Sequence, residues 1–158
     1  MSKIEAVPKP TSPKFMGVVV VQIQDILKTE LPWLDYSFGG CQKLINKDSK
    51  KFYPAVHIGH GKYVSVFPDM TLGNFSFMSF EDPQTIDHSL RPHMKVTQKF
   101  SLIFWFNMDK VFGKQKDRSM EEIKLEILTV INTKMFLDMG RITMSEIKKD
   151  GNFLVFDC

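Results

Sequence analysis

Residues 99–108 read Lys-Phe-Ser-Leu-Ile-Phe-Trp-Phe-Asn-Met, and this stretch decides the fold. In an extended chain, alternate side chains point to opposite faces. The apolar side chains of one face are Phe100, Leu102, Phe104 and Phe106. Because Ile103 and Trp105 make the other face apolar as well, the pattern predicts a central strand covered on both sides.

The next long segment, residues 119–135, has the pattern of an amphipathic helix. Ser119 can accept a hydrogen bond from a free N–H group of the first turn, and Glu122 can reach back to complete a capping box. Apolar residues then recur at helical spacing, namely Ile123, Ile127, Val130 and Ile131, with Met120, Leu128 and Met135 widening the stripe. We therefore predict a helix that packs its apolar face across the sheet.

The chain begins with a segment rich in proline and lysine, residues 1–16, which predicts an extended arm. Proline at this density disfavours helix and central strand. An arm of this kind lies either on its own domain or on a neighbouring subunit, and we favour the neighbour. The candidate subunit-contact residues in this arm and in a later loop are Pro8, Pro10, Pro13, Phe15, Pro83 and Ile86.

Residues 17–31 predict the first helix, which Pro32 ends. The residues expected on its apolar face are Val18, Val21, Ile26 and Leu27. The β-branched run at residues 18–21 has poor helix propensity, so a strand is the alternative there.

Short aromatic and β-branched runs fill the middle of the chain. Residues 52–58 and 63–67 flank the turn Gly59-His60-Gly61, which predicts a hairpin. Residues 74–80 predict a further strand. Residues 81–92 carry two prolines and predict a long loop of the kind that makes contacts.

The last quarter of the chain is less regular. Residues 141–148 fit either a strand or a short helix, and residues 153–156 predict a final strand. The sequence therefore predicts the α+β class, with a mainly antiparallel sheet, an amphipathic helix packed across it and an extended N-terminal arm. We expect one domain over residues 17–158, because 158 residues suit a single core.

Composition narrows the function classes only a little. The formal net charge of +3 is too small to argue nucleic-acid binding alone. Cys41 and Cys158 are the only cysteines, which favours a reducing compartment over a disulfide framework. We expect no secretory signal, and the longest aliphatic run, residues 18–21, is too short to span a bilayer.

Residues 57–60 spell His-Ile-Gly-His, the nucleotide-binding signature of class I aminoacyl-tRNA synthetases and nucleotidylyltransferases. In those enzymes the signature lies between a strand and a helix, whereas here a second strand follows. Phosphate chemistry through His57 and His60 is therefore an alternative that the context does not favour. The chain has four histidines, and these do not have the spacing of a zinc site: His57, His60, His88 and His93. We predict no enzyme, and no catalytic, metal or cofactor-binding residue.

Two basic clusters lie in predicted turns. They consist of Lys47, Lys50 and Lys51, and of Lys110, Lys114, Lys116 and Arg118. Solvated turns explain both, but each cluster is also a candidate DNA-facing surface. Stacking aromatics would strengthen that interpretation, but the strand pattern predicts that the aromatic residues here belong to the core. A nucleic-acid-binding accessory protein is accordingly our second hypothesis.

The chain resembles the tail-terminator, tail-completion and neck-ring proteins of tailed bacteriophages in the order of its elements. That order is arm, helix, antiparallel strands, long loop, apolar strand, amphipathic helix and final strand. The stretches that carry the resemblance are residues 52–56, 63–69 and 100–107. It implies a structural virion protein without catalytic residues or cofactors, assembled in the host cytoplasm. It also implies a homo-oligomeric ring at the head–tail joint, in contact with other neck, portal or tail proteins and, without sequence specificity, with passing DNA. No membrane contact is expected.

Overall fold

The structure is a computed structural model that describes residues 7–66, 73–81, 84–89, 95–113, 119–134, 136–137, 140–142, 144, 146–150 and 153–158. The helices are α1 (Met16–Glu30), α2 (Met108–Phe112) and α3 (Met120–Lys134). The strands are β1 (Tyr36–Gly40), β2 (Gln42–Ile45), β3 (Phe52–Gly59), β4 (Lys62–Ser65), β5 (Phe75–Phe80), β6 (Thr85–Asp87), β7 (Lys95–Thr97), β8 (Phe100–Trp105), β9 (Phe136–Leu137), β10 (Gly140–Arg141), β11 (Glu146–Asp150) and β12 (Phe153–Asp157).

The main sheet has five strands in the order β1-β5-β8-β12-β11. β1 runs parallel to β5, and the other neighbours are antiparallel. A second antiparallel sheet has the order β2-β3-β4, and β6–β7 and β9–β10 form separate pairs. This confirms the predicted α+β class with mainly antiparallel sheets and helices packed against them.

The predicted central strand is confirmed as β8, which pairs with β5 on one side and with β12 on the other. Phe100, Leu102 and Phe104 are buried on the face that meets the helices. Ile103 and Trp105 are half-buried against a second apolar cluster. Both faces of β8 are therefore covered, as its double-sided apolar pattern predicts.

Two apolar cores lie on opposite faces of the main sheet. The helix-side core joins α1, α3 and the sheet, and its buried members include Ile23, Leu27, Ile123, Ile127, Ile131, Met78, Leu102, Phe104 and Phe156. The core on the other face lies between the two sheets and contains Phe38, Val56, Val64, Val66, Phe75 and Phe77. The order of layers is thus helices, main sheet and second sheet.

The predicted first helix is confirmed as α1 (Met16–Glu30), so the strand alternative at residues 18–21 is wrong. The buried positions are Ile23, Gln24 and Leu27. Of the predicted apolar face, Leu27 is therefore buried, whereas Val18, Val21 and Ile26 are half-buried. The helix is apolar on several sides. Its rotation about its own axis is set by β1, because the Gln24 side-chain amide donates to the Ser37 carbonyl at 2.8 Å. A prediction from the periodicity of apolar residues could not place a glutamine among the buried positions of the helix.

The second predicted helix is confirmed as α3. Its N-terminus is capped by Ser119, whose hydroxyl accepts from the Glu121 backbone N–H at 3.2 Å. The buried residues of α3 are those of the predicted stripe, Ile123, Ile127, Val130 and Ile131. The side chain of Met135 lies outside the described residues.

Three connections differ from the sequence-based prediction. The predicted loop at residues 81–92 contains β6, because its Thr-Ile-Asp segment pairs with Lys-Val-Thr of β7. The joint after β8 begins with α2, capped by the Asn107 side chain, which accepts from the Asp109 N–H at 2.8 Å. In the ambiguous segment at residues 141–148, the structure has strand β11, which pairs with β12.

The described part of the arm, residues 7–15, lies against its own domain. Val7 packs on the inter-sheet core, Pro8 lies beside Gly59, and Lys9 forms an ion pair with Asp25 of α1. This part of the arm follows the alternative that we favoured less. Contact between the arm and a neighbouring subunit remains a prediction for its exposed residues.

Asn74, which is only 2% exposed, ties together three loops at one end of the main sheet. Its side-chain amide donates to the Trp33 carbonyl at 2.9 Å, and its amide oxygen accepts from the Asn107 N–H at 2.8 Å. Its own N–H donates to the Asp35 carboxylate at 2.8 Å. The preceding Gly73 has a φ of +74°, and a Cβ there would collide with that carboxylate. No sequence pattern predicted this junction.

Candidate functional site: assembly surfaces

The histidines of the His-Ile-Gly-His sequence lie in a β-hairpin. His57 is exposed near the end of β3, with its ring centroid 5.2 Å from that of Tyr63, and His60 is exposed in the turn. The chain then enters β4, as the sequence predicted, so the strand-to-helix context of the nucleotide-binding signature is missing. His88 is exposed, and His93 lies outside the described residues.

The described residues do not contain a group of three or more His, Cys, Asp and Glu side chains placed to hold a metal ion. Cys41 and Cys158 are free thiols, each half-buried. Burial raises the pKa of Cys41 and raises that of Cys158 to about 11. Both thiols are therefore mainly protonated at neutral pH, which makes them weak nucleophiles.

The first basic cluster surrounds the turn between β2 and β3. Lys47, Lys50 and Lys51 are all exposed there. The turn is held by the Asn46 side chain, which accepts from the backbone N–H groups of Asp48 at 2.9 Å and Ser49 at 3.0 Å. Of the second cluster, Lys110 is exposed on α2, and Lys114, Lys116 and Arg118 lie outside the described residues.

An exposed apolar pair lies at the base of this turn. Ile45 of β2 is directly opposite Phe52 of β3, and their side chains are 56% and 68% exposed. The expectation that the strand aromatics are all needed for the core is wrong at Phe52, because nothing in the described chain covers this end of the hairpin. We call this surface, Ile45, Phe52 and the three turn lysines, the basic tip.

The pair β6–β7 follows the point where β5 and β8 leave the main sheet. Phe80 of β5 is opposite Phe100 of β8, and the next residue continues the ladder, since the Glu81 N–H donates to the Lys99 carbonyl at 3.0 Å. The Gln98 side chain donates to both the Glu81 and Lys99 carbonyls. We call β6–β7 the ribbon.

All six residues of the ribbon are exposed. At its centre Ile86 is directly opposite Val96, and these side chains are 48% and 42% exposed. Of the predicted subunit-contact residues, Ile86 thus lies on this ribbon, Pro10 and Phe15 are exposed, Pro8 and Pro13 are half-buried, and Pro83 lies outside the described residues.

A cleft of about 330 Å³ opens between the two sheets. The main sheet contributes Phe77, Ser79, Ile103 and Val155, and the second sheet and its flanks contribute Cys41, Lys43, Phe52, Tyr53, Pro54 and Val66. Most of this lining is apolar, and Lys43 carries its charge. We call this space the inter-sheet cleft. It could accept apolar side chains from a partner, with an acidic group near Lys43.

None of the helices in the described ranges has both the length and the apolar character needed to cross a bilayer. The chain matches no protein-family model, no curated protein and no solved structure.

Proposed function

We propose that this chain is a structural virion protein that forms a homo-oligomeric ring at the neck or head–tail joint of a tailed bacteriophage. The proposal draws on the resemblance in element order and size to tail-terminator and neck-ring proteins. Its partners would be further copies of the chain together with other neck, portal or tail proteins. The proposed role depends on surface contacts and not on a reaction. The described histidines are exposed, and both thiols are mainly protonated at neutral pH.

The observation that carries the assembly proposal is the ribbon. A cross-strand apolar pair contributes only about 0.2–1 kcal/mol to a two-stranded projection, and such a hairpin is only marginally stable in water, so a partner that covers Ile86 and Val96 would stabilise it further. The inter-sheet cleft is a second and different apolar surface on the same chain. Contacts between two different patches are heterologous, and they give closed rings when the rotation between subunits closes.

The double variant Ile86→Asp, Val96→Asp is expected to reduce the assembled protein to its monomer mass of 18.3 kDa. Burying two carboxylates in an apolar contact costs several kcal/mol, which opposes the proposed contact. Light scattering after size-exclusion chromatography measures the mass. The thermal midpoint of the chain should change little, because both side chains are exposed.

The control is Leu125→Asp, which puts a single carboxylate at a 60% exposed apolar residue of α3. It should leave the mass of the assembly unchanged. An unchanged mass for the ribbon variant itself would remove the observation on which the assembly proposal depends.

A nucleic-acid-binding accessory protein is the second candidate function, and the basic tip favours it. Phe52 offers an exposed ring for base stacking beside three exposed lysines. Stacking contributes about 1–3 kcal/mol per base, and each phosphate contact adds salt dependence.

If the basic tip binds DNA, Phe52→Ala should weaken binding to a random single-stranded oligonucleotide about tenfold, the lower part of the stacking range. Fluorescence anisotropy at several salt concentrations measures this. Replacing Lys47, Lys50 and Lys51 with alanine should flatten the salt dependence. Leu125→Ala is the control. Wild-type protein that shows no binding at low salt would exclude this function for the tip.

A further inference from the structure

We propose that the ribbon of one subunit seats Ile86 and Val96 in the inter-sheet cleft of a neighbouring copy. This inference rests on the ring assembly proposed above and specifies its contact.

The ribbon does not fill the cleft of its own chain, because the described residues that line the cleft include none from β6 or β7. It follows the ends of β5 and β8, where a backbone hydrogen bond between Glu81 and Lys99 forms its base. Ser79, which lines the cleft, lies on the sheet side of that base. A second copy of the chain presents the same exposed apolar pair and can supply the occupant.

The cleft has the size that the ribbon pair requires. Ile86 and Val96 are directly opposite each other, so they would enter as one unit. Their branched side chains together have about as many carbon atoms as benzene, which a cavity of about 150 Å³ holds. The inter-sheet cleft, at about 330 Å³, accommodates this pair with room for part of the ribbon backbone.

The charges near the two surfaces set the orientation. Lys43 lines the cleft and forms no ion pair with another described residue. Asp87 directly follows Ile86, and its carboxylate accepts from the Ser89 N–H at 2.8 Å, which helps to keep it ionised. Lys95 is opposite Asp87, so the ribbon is not strongly acidic overall. Apolar burial therefore supplies the affinity, and the contact between Asp87 and Lys43 fixes the direction of entry.

A native thiol in the cleft allows a direct test. Cys41 lines the cleft, so Ile86→Cys places a second thiol on the proposed occupant. In a Cys158→Ser background, mild oxidation of the full chain should give disulfide-linked dimers, trimers and larger species on a non-reducing gel. The reaction should run faster at mildly alkaline pH, because burial raises the pKa of Cys41.

Two controls make the result specific. Adding Cys41→Ser to the Ile86→Cys variant should limit products to dimers, and Leu125→Cys on α3 should give no ladder through Cys41. A missing ladder from protein that light scattering shows to be assembled would overturn the seating in the cleft but leave the ring. A wild-type chain of monomer mass would overturn both. A small molecule that copurifies in the cleft, with no ladder, would assign the cleft to that ligand instead.

Discussion

Replacing Phe104 with alanine is expected to lower the free energy of unfolding by about 3–5 kcal/mol, the range for a large aromatic side chain in a core. Phe104 is fully buried on β8, the central strand of the main sheet. Its ring packs edge-on against Phe156 with centroids 5.6 Å apart, and lies 6.4 Å from the ring of Trp33. Strands on both sides hold the backbone in place, so the surroundings cannot collapse into the space that the ring leaves.

Urea unfolding followed by circular dichroism measures this loss. Leu125→Ala is the matched control, because Leu125 is 60% exposed on α3 and its truncation should change stability by no more than about 0.5 kcal/mol. Equal effects of the two substitutions would contradict the placement of β8 at the centre of the fold.

Asn74→Ala is expected to cost about 3 kcal/mol. The substitution removes the acceptor for the Asn107 N–H and the donor to the Trp33 carbonyl. Each polar group left without a partner in a buried site costs about 1–3 kcal/mol. Because these bonds join the loop before β1 to the loop after β8, the loss should also speed local opening at this end of the sheet.

Urea unfolding measures the stability change, and hydrogen exchange at the Asn107 amide reports the local opening. Asn132→Ala on the exposed side of α3 is the control, and it should be neutral or slightly stabilising because alanine is the better helix former. If Asn74→Ala were equally neutral, the three loops would not depend on this side chain.

The sequence predicted the parts of the fold that local periodicity determines. β8 is apolar on both faces over six residues, and α3 combines a cap at Ser119 with a four-residue buried stripe. Neither depends on what the rest of the chain does. The parallel pairing of β1 with β5 joins residues far apart in sequence, and no local pattern specifies it.

The candidate surfaces were predicted in part. The predicted subunit contacts include Ile86, but its segment is predicted to be a loop and not a paired strand. They do not include Val96, although Lys-Val-Thr alternates like Thr-Ile-Asp. The strand pattern predicts that Phe52 belongs to the core, because alternation shows which side chains share a face of the strand. It does not show how far the next layer of the fold extends over that face. The inter-sheet cleft was missed altogether, because its lining comes from distant strands.

Light scattering of the purified full-length chain, over a range of micromolar concentrations, tests the assembly most directly. The proposal predicts one species whose mass is a multiple of 18.3 kDa greater than a dimer, and electron micrographs of that species should show closed rings. A mass of 18.3 kDa at every concentration would contradict it.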